Sequence, residues 1–153
     1  MRGVFAAAAG FLLAVAAASG WVHPLPERRS TIIQPPLFEG ASAPQDVTLL
    51  VGRACADCHS TRTQWPWYSR IAPISWLVES DVRRGREHMN LSEWDGYSDE
   101  EKRARLAAIA TMVANRRMPP VSYQLAHSAA RLTDMERTRI SDWARLERHR
   151  LTK

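Results

Sequence analysis

The sequence predicts an all-α domain, and three observations point there. Ser98-Asp99-Glu100-Glu101 and Thr133-Asp134-Met135-Glu136 each read as a capping box opening an apolar stripe at helical spacing. No stretch alternates apolar and polar residues with the period of a strand. The string Cys55-Ala56-Asp57-Cys58-His59 lies between segments of helical pattern. With 153 residues there is room for one small domain with a modest core.

The elements follow in order. Residues 1–22 carry a single early charge, Arg2, and then an uncharged run from Gly3 to Val22 rich in Ala, Val, Leu and Phe. About twenty such residues just span a bilayer. Ala16-Ala17-Ala18 before Ser19 fits the cleavage pattern of a secretory signal, and Trp21 suits an interfacial anchor. A signal peptide or a membrane anchor is therefore expected. Either one places the rest in the periplasm or on the extracytoplasmic face of the inner membrane. Residues 23–43 read as a Pro-rich linker, since His23-Pro24-Leu25-Pro26 and Gln34-Pro35-Pro36 oppose helix. The domain is expected over 44–150.

Within it, Ser42 is the expected N-cap and Pro44 the first-turn proline of a helix carrying Val47, Leu49, Leu50, Val51 and Ala54. Thr61 to Ala72 is an aromatic, Pro-rich loop. Pro73 to His88 reads as a helix with Ile74, Leu77, Val78 and Val82 on its apolar stripe. Ser92 is expected to cap a short turn through Trp94. The helix after Ser98 carries Leu106, Ile109, Met112 and Val113, with Arg116 and Arg117 in its last turn, where cations suit the dipole. Met118-Pro119-Pro120 stops it. The last helix carries Met135, Ile140, Trp143 and Leu146.

Cys-x-x-Cys-His is the attachment signature of a c-type haem. Thiols one helical turn apart can each bond a vinyl group, and the adjacent His59 can reach the iron as the proximal ligand. A zinc site would need a second Cys pair. A thioredoxin-like redox pair would need a βαβ context. The two cysteines are the only ones, and a haem would consume both.

An electron-transferring iron needs a second axial ligand. Met118, at a helix end and fixed by two prolines, is the expected choice, with His127 the alternative and His88 behind it. Met112 fits core packing instead. Trp65, Trp67 and Tyr68 follow the motif and are expected to wall the cofactor, while Arg62, Arg70 or Arg86 could pair with a propionate.

The formal charge of +5 and pI of about 9.9 favour acidic redox partners through steering. The arginines are spread along helices, no nucleic-acid motif is present, and that role is not expected.

The chain resembles the small bacterial haem-binding domain family. The residues that carry the likeness are Cys55 to Ser60, Thr63 to Ser69, Ile71 to Trp76, Asp81-Val82, Gly85-Arg86, Asn90 to Trp94, Met118-Pro119-Pro120, Tyr123, His127 and the closing Leu132, Glu136, Ile140 and Trp143. The likeness covers about residues 44–145. Arg117 stands where the family usually has an acidic residue, and Ser128 where a proline is expected. The resemblance implies a c-type cytochrome-like helical domain wrapped around one covalent haem, exported or tethered by its N-terminus. The expected function is an electron carrier rather than an enzyme, with His/Met-ligated iron and membrane contact only through an uncleaved N-terminus. The alternative is a haem enzyme or sensor for peroxide or a diatomic gas, with a labile or absent distal ligand.

Overall fold

The computed structural model describes residues 2–19 and 36–152. It contains seven α-helices among these residues: α1 (Arg2–Ser19), α2 (Gln45–Ala54), α3 (Ala56–His59), α4 (Ile74–His88), α5 (Asp99–Ala114), α6 (Val121–Ala126) and α7 (Asp134–Arg150). Short 3₁₀ turns cover Trp67–Arg70, Leu91–Gly96 and Ser128–Ala130. The fold is all-α among the described residues, as the sequence implied. No described helix is long and apolar enough to cross a membrane.

Both capping boxes form. Ser98 accepts from Glu101 N–H, Thr133 accepts from Glu136 N–H, and each glutamate reaches back to the N–H of its cap. These caps satisfy donors that the first helical turn leaves unpaired. The other two expected caps are corrected. Gln45 follows Pro44 with no side-chain cap, and Ser42 instead ties to α7. Its N–H donates to Glu147 Oε1 at 3.1 Å, and its carbonyl accepts from Trp143 Nε1 at 2.9 Å. The turn at Leu91 is capped by Asn90, whose side chain accepts from Ser92 N–H.

The core lies between α2, α5 and α7. Val47, Leu91, Trp94, Leu106 and Ile140 are essentially inaccessible. Leu37 and Phe38, read as linker, belong to this core. The Phe38 ring meets Trp94 and Trp143 edge-on, with centroids 5.0 and 4.8 Å apart. Its φ of 58° marks the turn that delivers it there. Residues 20–35 of the expected anchor and linker lie outside the described residues.

Two apolar stripes are rotated from expectation. On α4 the buried side is Ser75, Val82 and Gly85, while Ile74 and Leu77 are exposed. On α7 Ile140 and Trp143 are buried, but Met135 and Leu146 face outward. Arg116 and Arg117 lie past the end of α5, whose C-cap is Asn115.

Candidate functional site

The Cys-x-x-Cys-His string sits at a break between two helices. Cys55, with φ −129° and ψ −27°, ends α2, and α3 restarts at once with Ala56. The Cys55 carbonyl accepts from the N–H groups of both Cys58 and His59, at 3.2 and 3.0 Å. One tight turn therefore spaces the two sulfurs and the imidazole.

The chain after His59 is tied back onto this turn. Ser60 Oγ donates to Ala56 O at 2.7 Å, and Thr63 Oγ1 donates to Asp57 O at 2.6 Å. From α4, Arg86 donates to Ser60 O and Thr63 Oγ1, both at 2.8 Å. Gly85 lies against the motif so closely that a Cβ there would stand 2.4 Å from Cys58 O. Backbone meets backbone at this point, which only glycine permits. Arg86, one of the expected propionate partners, is thus engaged with the motif's own loop.

Both thiols are free, and burial pushes each well above its usual range. Cys55 rises to about 12, with Cys58 adding to the effect of burial. Cys58 rises to about 11, with the carboxylates of Asp57 and Asp81 adding to burial. A redox-active Cys-x-x-Cys pair needs the opposite shift, toward thiolate. Burial lowers the pKa of His59 and favours its neutral ring. Nδ1 lies 3.2 Å from Met89 O, and a carbonyl can only accept, so Nδ1 carries the proton and Nε2 keeps its lone pair. Orientation of a ligating histidine by a carbonyl is the usual arrangement around metals. Among the described residues no group of three or more His, Cys, Asp and Glu side chains gathers as a metal cage.

A second cluster connects the motif with the later chain. Tyr123 of α6 donates its hydroxyl to Asp57 Oδ2 at 2.6 Å, while Asp57 Oδ1 accepts from Gln64 N–H at 2.9 Å. Burial, and then this bond to Asp57, raise the pKa of Tyr123. His127 stacks on Tyr123 with centroids 4.1 Å apart. Its Nδ1 donates to Tyr123 O at 3.1 Å, and its Nε2 lies 3.3 Å from the Tyr68 hydroxyl. Both ring nitrogens of His127 are therefore engaged.

Met118 is half-buried. Its N–H donates to Met112 O at 3.2 Å, and its carbonyl accepts from the buried Arg137 at 3.1 Å. Gln124 of α6 donates to Pro119 O at 2.6 Å, so α6 joins the Met118 segment to Asp57 inside the motif. Of the three expected aromatic walls, Tyr68 is drawn into the cluster and Trp65 is half-buried. Trp67 is 77% exposed, its ring edge-on to Tyr68. Asp57 and Arg137 escaped the sequence reading. The first stands in a variable position of the motif, and the second sits among many helical arginines that look alike in sequence.

The donor set fits a haem. It offers two thiols and one oriented imidazole that form no ion cage, on elements that carry exposed apolar side chains. Ile71, Ile74 and Leu77 beside the motif, and Val121 and Leu125 on α6, are of this kind. No curated protein and no solved structure matches the chain. The sequence model of one family, described as a haem-binding domain, matches residues 14–146 and so spans the motif, the tyrosine–histidine cluster and the Met118 segment. By that match the chain belongs to the haem-binding domain family and is a haem-binding protein.

Proposed function

We propose that the protein is an extracytoplasmic c-type electron carrier with a single haem held by thioether bonds to Cys55 and Cys58. His59 supplies the proximal ligand and Met118 the distal one. The observation that carries the reading is His59: its Nδ1–H is committed to Met89 O, so Nε2 faces its task as a free base one residue after a pair of attachment thiols. Bound haem iron supplies one-electron exchange between its ferric and ferrous states. The chain's part is to fix, orient and shield. The α3 turn sets the sulfur spacing, Gly85 and Arg86 hold that turn against α4, and α6 carries the distal segment.

Two features support Met118 over His127. The imidazole of His127 already spends both nitrogens on Tyr123 and Tyr68. The Met118 backbone is pinned on both sides by Met112 and Arg137. A methionine ligand raises the potential relative to a second histidine. Residues 1–22 act as signal peptide or anchor in this reading, and the positive charge favours acidic redox partners.

The Tyr68–His127 pair favours one second reading. A hydroxyl and an imidazole in contact are an acid–base pair of the type a peroxide enzyme or gas sensor uses. Optical spectra decide between them. A carrier shows the weak near-infrared band of a methionine–ferric bond and binds carbon monoxide slowly or not at all. Met118→Ala abolishes the band, lowers the potential and opens the iron to carbon monoxide. Rapid carbon monoxide binding by the wild type establishes the second reading instead. Haem released by acid–acetone extraction overturns the covalent attachment.

A further inference from the structure

On the side of Met118 facing α7, the chain builds a second polar site around Arg137, whose guanidinium also holds the Met118 carbonyl. A groove of about 290 Å³ lies between the end of α5 and the first half of α7, lined chiefly by Arg116, Asp134, Arg137, Thr138, Ser141 and Arg145. Residues 134, 138, 141 and 145 recur at three- and four-residue spacing, which puts them on one face of α7.

Two of the three cations are matched. Arg116 pairs with Asp134 and Arg145 with Asp142, each at 2.7 Å. Arg137 is not. It is only 8% exposed and always charged, and one of its terminal nitrogens donates to Val113 O at 3.4 Å and Met118 O at 3.1 Å. No carboxylate pairs with it among the described residues. One turn further along α7, Ser141 is 1% exposed and its Oγ has no hydrogen-bond partner.

Arg137 has backbone carbonyls for its hydrogen bonds but no counter-charge, and Ser141 has no partner at all; a buried charge without an opposite one and a buried idle hydroxyl are both costly. Here they stand on the same wall of one groove. An oxyanion answers both at once, by accepting from the guanidinium and from the Ser141 hydroxyl. Thr138 offers a second hydroxyl beside them.

We propose that this groove is a binding site for a small oxyanion of the phosphate class, held by Arg137 and Ser141. Arg137 also holds the Met118 carbonyl, whereas Ser141→Ala leaves that bond alone, so the Ser141 variant keeps the outcome distinguishable from that of the Met118 test. Titration calorimetry of the holoprotein with inorganic phosphate, at ionic strength held constant with chloride, should give a saturable one-to-one isotherm. Ser141→Ala should weaken it about tenfold, the effect of losing one hydrogen bond to a charged group. Arg137→Gln should abolish it, with circular dichroism to establish that the variant folds. Should Arg137→Gln fail to fold, Ser141→Ala decides alone. Heat that never saturates, or a Ser141→Ala isotherm equal to the wild type, overturns the proposal.

Discussion

At the scale of single residues, contact distance and charge make two positions decisive. Gly85 is the first. A methyl group at 2.4 Å from the Cys58 carbonyl cannot be absorbed by rotating a side chain, because both sides are backbone. Gly85→Ala should therefore push α4 off the Cys-x-x-Cys-His turn. We expect a loss of at least the 1–3 kcal/mol typical of overpacking, read by thermal or urea unfolding, together with poorer haem incorporation. Glu147 is the second. It is 3% exposed and receives Arg150 and the Ser42 N–H, and these bonds hold its carboxyl below the ordinary range. A depressed carboxylate stabilises the fold above its unfolded pKa and loses that contribution as pH falls through the folded one. Glu147→Gln should thus cost about 1–2 kcal/mol at neutral pH. The gap from wild type should shrink as acid is added below about pH 4.5. A gap independent of pH would show that the Arg150 and Ser42 contacts contribute through packing alone.

At the scale of elements, α6 is the unit to test. Six residues long, it buries none of its side chains, yet it connects Asp57 to Pro119 through Tyr123 and Gln124. Removing the hydroxyl with Tyr123→Phe cuts this connection and keeps the ring stack on His127. We expect the near-infrared methionine band to be lost at lower pH or temperature than in the wild type, while the haem stays attached. An unchanged band would mean that the prolines and Arg137 hold Met118 without α6. The sequence made much of this level legible. Capping boxes have local chemistry, so the starts of α5 and α7 could be placed to the residue. The Cys-x-x-Cys-His turn is equally local. What was not legible depends on partners far along the chain. Nothing near Ser42 foretells Glu147, 105 positions later. Nothing near Asp57 foretells Tyr123, 66 positions later. The α4 stripe was misread because Gly85 and Ser75, small residues, form its buried side, whereas periodicity rewards large apolar ones.

At the scale of the whole molecule, the packing is uneven. The α2, α5 and α7 side owns nearly every fully buried apolar side chain, including Phe38, Trp94 and Trp143. The side with α4 and α6 buries little of its own apolar surface and presents Ile71, Ile74, Leu77, Val121 and Leu125 outward. Hydrogen exchange should divide the two. In protein made without haem, α5 and α7 should keep much of their protection while α4 and α6 exchange rapidly. Uniform loss everywhere would mean that the haem supports the entire fold. Phe38→Ala tests the other side, with an expected cost of about 3–5 kcal/mol.

The burial of Leu37 and Phe38 also sets a leash. If the N-terminal segment stays in the membrane through Val22, only the fourteen residues from His23 to Pro36 separate it from the packed domain. Fully stretched, they reach about 50 Å, some 20 Å less than if the domain began at Pro44. The haem is then confined to a thin shell over the bilayer, within range of membrane-bound donors and acceptors and out of reach of most others. Lengthening 23–36 with inserted residues should widen that shell, and the rate of exchange with a membrane-bound partner should fall as the local concentration of the domain is diluted.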